Sequence, residues 1–523
     1  MQREYIDRFG DQFDAGFRRL LDDGAVFSNA NYQHAITGTA PGHATLSTGC
    51  HPAKHGIMAN NFFTPGRTEY KMAYAVTDTS TTLVGLEDND KKIYGSSPIN
   101  LKVPALGDWL KSVYPDAKVY SVAFKDRSAT LMGGLNANRA FWFNQPTTRM
   151  VSSSYYKSKF PDWAQYYIGK EIMKTPLEKG WKKLLPEEEY SASREDDFSY
   201  ELGIQRTTFP HTLSSFMPPA SNASYEARKG MLLWNSPLGD AYALEFAKAI
   251  IENEKLGMDE IPDMLFVGCS VSDKIGHQYG PYSQEVQDYY LRLDRYLGNF
   301  FAYLDERIGK ENYYVALSAD HGVVPIPEEL VRRGIDAQRI TSRDYGIMID
   351  SIEARLQREL GLENDFIKIA NYQGFALDYS EAVGKGMLEK DLQRKVANAV
   401  DTLPFVEDVY LPEELMLTTS TKKDISFFRN NYRPDRGVEM KIRFSEYALV
   451  GGRTNGTSHG TVYSYDTNVP IIFMGPQVKS QPFSQSAGVV DIAPTLARIL
   501  NINTPINIDG RPCLLYTSPS PRD

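Results

Sequence analysis

Four short segments carry side chains able to hold metal ions around a nucleophile. They are Thr39-Ala40-Pro41-Gly42-His43, Ser272-Asp273-Lys274-Ile275-Gly276-His277, Ala319-Asp320-His321-Gly322 and Thr457-Ser458-His459-Gly460. The chain has eight histidines, and His277, His321 and His459 fall in the last three segments, which also supply Asp273 and Asp320. Imidazole nitrogen and carboxylate oxygen form the donor set of zinc-type sites, and catalytic sites of that type keep a position open for substrate. The residue types point to metal-dependent hydrolysis.

Asp273 and His277 stand four apart, which places both on one face of a helical turn. One ion could take both, with His459 arriving from the far end of the chain. An isolated Asp–His pair at this spacing is more often a hydrogen bond on a helix surface. Asp320-His321 is more specific, because a charged pair ending an apolar strand needs compensation. Thr39 fits an ordinary N-cap hydroxyl, or a nucleophile whose alkoxide is stabilised by a metal ion and the helix dipole. Asn60 alone would be a turn residue, and Lys125 and Arg127 alone would be surface charges. At the end of a core strand, the two cations instead suggest a clamp on phosphoryl oxygens.

These side chains need a scaffold that brings distant segments together. Residues 118–123, 263–268, 313–318 and 469–473 read as strands, from their β-branched and aromatic content. Residues 241–254, 284–308 and 490–500 read as helices, and residues 14–28 as a helix running into a short strand. Strands alternating with helices predict an α/β fold with a mostly parallel central sheet flanked by helices. Lys125, Asp273 and Asp320 each follow such a strand, where open parallel sheets bind their ligands. Residues 145–235, rich in Tyr, Ser, Pro and charge, read as an inserted cap. Residues 335–450, with helices near 351–360 and 389–402, read as an inserted α+β subdomain.

At 523 residues the chain exceeds one ordinary core, and 42% hydrophobic with 24% charged residues is usual for a globular protein. A formal charge of -9 without a basic cluster speaks against nucleic-acid binding. No apolar run approaches the ~18 residues of a membrane span. Three cysteines, Cys50, Cys269 and Cys513, build neither a disulfide framework nor a thiolate metal site. Residues 513–523 read as translated adaptor sequence and are set aside as a non-native tail. The start reads as a helix with nothing before it. A buried strand is therefore expected to have been lost upstream of Met1, beside the strands that carry Asp273 and Asp320.

With Thr39-x-Pro41-Gly42-His43, His55-Gly56-Ile57 and Asn60, Lys125-x-Arg127, Asp273-x3-His277, Asp320-His321 and His459 in this order, the chain resembles the alkaline phosphatase superfamily. It is most similar to the phosphate-irrepressible alkaline phosphatases with a threonine nucleophile, across residues 1–512. The resemblance implies two zinc ions. One is held by Asp273, His277 and His459; the other is held by Asp320 and His321, with Thr39 beside it. Asn60, Lys125 and Arg127 would hold the phosphoryl oxygens of small phosphate monoesters, with a phospho-threonine intermediate. An aspartate ending the family's first strand completes the second zinc site; its place falls before Met1, and neither Glu4 nor Asp7 stands in for it. The resemblance also implies a bacterial periplasmic or secreted enzyme, without a visible signal peptide, and a monomer is expected. Two other readings stay open: a phosphodiesterase or nucleotide pyrophosphatase, and an inactive truncated homologue. Sulfatases fit less well, because their motif has Cys or Ser where Thr39 stands and Arg where His43 stands.

Overall fold

The computed structural model describes residues 1–65, 70–86, 93–202, 206–215, 223–452 and 454–513. In chain order its strands are β1 (Ala25–Asn31), β2 (Asn61–Pro65), β3 (Tyr70–Tyr74), β4 (Thr77–Val84), β5 (Tyr94–Ser96), β6 (Val119–Ala123), β7 (Arg139–Asn144), β8 (Arg149–Ser153) and β9 (Met264–Gly268). The later strands are β10 (Val315–Leu317), β11 (Gln338–Ile340), β12 (Ile367–Asn371), β13 (Gly374–Leu377), β14 (Val406–Tyr410), β15 (Lys441–Phe444), β16 (Ala448–Val450), β17 (Ile471–Met474) and β18 (Gln481–Gly488).

Two sheets carry the scaffold, in the orders β5-β4-β8-β7-β6-β9 and β10-β17-β1-β18. The sheets are mixed rather than mostly parallel. β6 pairs in parallel with β7 and β9, and β1 with β18, whereas β7–β8, β4–β8, β4–β5, β1–β17 and β10–β17 are antiparallel. The short turn at 145–148 permits only an antiparallel return, since a parallel one needs a crossover of about a dozen residues. β6 is buried along its whole length, Ser121 included, as expected of a strand with parallel neighbours on both sides.

Among the described residues, β9 and β10 are the end strands of their sheets. Met264 to Val267, Val315 and Leu317 are only half-buried and Ala316 is exposed. Leu265, Val267, Val315 and Leu317 nevertheless pack against one common core. These are the strands that lead to Asp273 and Asp320.

Helices flank the sheets. The helix Gln284–Arg307 is capped by Ser283, whose hydroxyl accepts from Val286 N at 3.2 Å. Its Asp294 carboxylate accepts the N–H groups of Asp14, Ala15 and Phe17 at 2.9, 2.9 and 2.6 Å. That satisfies donors otherwise orphaned at the start of the helix Gly16–Asp23. Residues 145–235 divide: Arg149–Ser153 is a strand of the larger sheet. Beyond that strand the chain packs on the helix Gln284–Arg307, with Trp181 Nε1 and the Tyr190 hydroxyl donating to Asp288 at 2.6 and 2.5 Å. Residues 340–450 have a core of their own, including Tyr345, Ile349, Leu392, Val396, Phe405 and Met440. Its first helix starts at Ser342, earlier than the apolar pattern suggests, because Thr341 caps it by accepting from Asp344 N at 3.2 Å. Cys513, assigned to the tail on sequence, packs against the core around β1 and donates its N–H to Thr495 Oγ1 at 2.8 Å; residues 514–523 lie outside the described residues.

Candidate active site

Thr39 is the first residue of the helix Thr39–Thr48 and is 1% exposed. Pro41 sits in its first turn, where a missing N–H costs no intrahelical bond. Asn60 is tied to the same turn, with Ala40 N donating to its Oδ1 at 2.8 Å. That bond turns the Asn60 carboxamide so that its Nδ2 remains a donor. Gly42 lets the helix lie directly on the third motif, since a Cβ there would meet Asp320 O at 2.3 Å.

Lys125 and Arg127 arrive from the end of β6. Lys125 Nζ donates to Asp273 Oδ2 at 2.5 Å and to Thr39 Oγ1 at 3.3 Å. Arg127 Nη2 reaches Thr39 Oγ1 at 3.4 Å, and among the described residues the buried Arg127 Nε has no partner. Two cations thus meet one hydroxyl at a helix N-terminus, an arrangement suited to an anion.

The helix Val271–Tyr279 comes after β9 and presents Asp273 and His277 on one face. Around Asp273 Oδ1 stand the Nε2 atoms of His277, His459 and His321, at 3.4, 3.4 and 3.6 Å. The His321 and His459 rings stack at 3.5 Å between centroids. Each Nδ1 is committed to a main-chain carbonyl: His277 to Thr457 O at 2.7 Å, His459 to Thr37 O at 2.8 Å and His321 to Gly322 O at 2.8 Å. A carbonyl only accepts, so the proton sits on Nδ1 and the Nε2 lone pair faces the carboxylates. This is the support that metal-ligating imidazoles need. Ligand atoms of Asp273, His277 and His459 all lie within 4.8 Å of one another. Asp320 Oδ2 lies 3.3 Å from His321 Nε2 and 3.5 Å from His43 Nδ1. The donor set therefore fits metal ions.

Electrostatics point the same way. Burial alone would raise both carboxylates. Lys125 with the histidines holds Asp273, and His321 with His43 holds Asp320, well below the usual range. Burial lowers His277 and, more strongly, His459, which keeps them neutral and able to coordinate. His321 is raised: Asp320 and Asp273 outweigh its burial.

All nine residues singled out from the sequence, Thr39, Asn60, Lys125, Arg127, Asp273, His277, Asp320, His321 and His459, come together here. Glu4 and Asp7 stay away from the site, exposed on the helix Glu4–Phe9 with Asp7 bound by Arg3 at 2.7 Å. The Met1 amine instead lies 3.0 Å from His321 O.

Several supporting residues were not singled out. His43 holds Thr39 O at 2.8 Å while facing Asp320; its spacing four after Thr39 was the available signal. Asp240 accepts Val271 N at 3.1 Å and the Tyr289 hydroxyl at 2.7 Å, anchoring the start of the helix that bears Asp273. Asp466 Oδ2 gathers Gly460 N, Thr461 N and Thr461 Oγ1 at 2.9, 2.8 and 2.7 Å, fixing the loop of His459. Nothing in sequence spacing marks the last two.

Residues 1–399 match the family model described as type I phosphodiesterase / nucleotide pyrophosphatase. The chain is 31% identical to alkaline phosphatase PafA of Elizabethkingia meningoseptica, over 98% of this chain and 92% of that one. It is 33% identical to alkaline phosphatase PhoV of Synechococcus elongatus, over 98% and 90% of the two chains. It is also 33% identical to a protein of Myroides odoratus called a calcium-transporting ATPase, over 98% and 92%. The crystal structure of wild-type PafA superposes with a TM-score of 0.88 at 31% identity, covering 98% of this chain and 96% of that one.

Proposed function

The chain belongs to the type I phosphodiesterase and nucleotide pyrophosphatase family, and from that premise we propose how its own residues hydrolyse a phosphate monoester. Full-length relatives that are alkaline phosphatases make it a phosphate monoester hydrolase. The observation that supports the assignment of roles is the meeting of Lys125 and Arg127 on Thr39 Oγ1, beside the Asp273–imidazole cluster.

Thr39 is the nucleophile in this reading. Its Oγ1 starts a helix, so the dipole and the two cations favour its alkoxide. Asn60 Nδ2, Lys125 and Arg127 hold the phosphoryl oxygens and gain strength as charge gathers there in the transition state. Attack by Oγ1 on phosphorus forms the Thr39 Oγ1–P bond and breaks the bond to the leaving alcohol oxygen, which takes a proton. Water then cleaves the phospho-threonine bond and restores the hydroxyl. Asp273, His277 and His459 would hold one zinc, and Asp320 and His321 the other. When bound, zinc supplies Lewis-acid stabilisation of the oxygens entering and leaving phosphorus.

A monoester carries more charge on its phosphoryl group than a diester does, and two cations on one hydroxyl reward that charge. This favours monoesters over the diesters and pyrophosphates in the family's description. Among the described residues no helix is long and apolar enough to cross a membrane. We read residues 335–450 as an inserted α+β subdomain, supported by its separate core, and 145–235, apart from the strand Arg149–Ser153, as the cap. A periplasmic or secreted location belongs to the same reading and rests on the resemblance.

The test is to trap the intermediate. Acid quench during turnover should leave a phosphoryl group on the peptide containing Thr39, and Thr39→Ala should abolish both label and turnover. Turnover persisting in Thr39→Ala would overturn the assignment. Zinc analysis of the purified chain separates this reading from an inactive homologue, which would hold no stoichiometric metal.

A further inference from the structure

Tyr74 is the last residue of β3, in the hairpin that starts beside Asn60, and it pairs across that hairpin with Asn61. Its hydroxyl donates to Asp126 Oδ1 at 2.6 Å and accepts from Arg127 Nη1 at 3.3 Å. Asp126 is itself held, its Oδ2 accepting from Ser96 Oγ at 3.0 Å and its Oδ1 from Arg127 N at 2.7 Å. Burial and then the Asp126 charge push the Tyr74 phenol upward, so it remains a neutral donor.

The two cations on Thr39 are therefore treated differently. Lys125 is ion-paired with Asp273 at 2.5 Å. Among the described residues Arg127 has no carboxylate within ion-pair distance of its guanidinium, and its Nε is buried without a partner. The nearest supporting acid, Asp126, is reached through the Tyr74 hydroxyl. A phenol between the two fixes the guanidinium without neutralising it. Its positive charge and free Nε stay available for phosphoryl oxygens.

We propose that Tyr74 is a positioning residue that keeps Arg127 fixed and unpaired at Thr39 Oγ1, and so sets the preference for doubly charged phosphoryl groups. This rests on the reading of Arg127 as part of the phosphoryl clamp. Without the hydroxyl, Arg127 loses its spacer from Asp126 and moves toward that carboxylate, away from Thr39.

The test is a double-mutant cycle of Tyr74→Phe and Arg127→Ala, read on an aryl phosphate monoester and the matching methyl aryl diester. Tyr74→Phe should lower kcat/KM for the monoester roughly tenfold to a hundredfold, as expected for a hydrogen bond to a charged group, with little change for the diester. Zinc content and melting temperature should stay at the parent values. In the Arg127→Ala background the Tyr74→Phe change should cost almost nothing, because its effect passes through Arg127. Equal losses on both substrates, or the same loss with and without Arg127, would show Tyr74 to be merely structural and overturn the proposal. If Arg127→Ala itself left monoester turnover untouched, the clamp reading would fall, and this inference with it. A loss in Arg127→Ala without one in Tyr74→Phe would remove this inference alone.

Discussion

Lys125 Nζ stands 2.5 Å from Asp273 Oδ2, while the other oxygen of that carboxylate faces three imidazoles at 3.4 to 3.6 Å. One aspartate thus joins the cationic clamp on Thr39 to the candidate metal pocket. Disturbing either half must be felt in the other.

Lys125→Ala should cost monoester turnover ~10²–10³, the usual loss on removing a donor to developing charge, and hurt diester turnover less. Steady-state kinetics on both substrates measure this. Equal losses would favour a phosphodiesterase.

Metal should be bound by both carboxylates. Purified protein is expected to hold about two zinc ions per chain, and Asp273→Asn or His459→Ala should lower that content. Chelation should reduce the melting temperature, since a ligand at a hundred times its Kd stabilises by about 2.7 kcal/mol. Elemental analysis and thermal melts read both effects, and full metal content in Asp273→Asn would remove Asp273 from the ligand set.

Gly42→Ala adds a Cβ that would lie 2.3 Å from Asp320 O, a main-chain atom that cannot rotate away. The Thr39 helix must shift off the Asp320 segment. We expect a loss of ~1–3 kcal/mol from overpacking, with turnover falling further than stability alone explains. A denaturation midpoint equal to that of the parent would show that the contact yields without cost.

Acid should destabilise the metal-free chain through its buried histidines. His34 is fully buried. Burial first, then neighbouring His51 and His55, hold it well below its ordinary value. The unfolded chain takes up a proton below about pH 6.5 while folded His34 does not. Stability is therefore full above that pH and declines as pH falls through it. Urea midpoints of chelated protein should show that fall. His34→Leu should make the slope shallower by up to about 1.4 kcal/mol per pH unit, and an unchanged slope would mean that His34 is protonated in the fold.

Much of the site was legible because its chemistry is written in residue types that have few other uses. Histidine is scarce here, and Asp320-His321 at the end of an apolar strand has no cheap structural reason to exist. β-Branched and aromatic content marked the strands before Lys125, Asp273 and Asp320, and helical spacing put Asp273 and His277 on one face. The sequence could not show that the sheets are mixed, because pairing direction depends on which distant strand lies alongside, as β17 does with β1 and β10. Nor could it show the supports: Asp240 under the Val271 turn, Asp466 within the His459 loop, and Tyr74 between Asp126 and Arg127. A carboxylate or phenol becomes a support only when folding brings an orphaned donor or a cation to it from another part of the chain. Residue type and local spacing determined what chemistry is available. Long-range packing alone decided which protons, charges and lone pairs face one another.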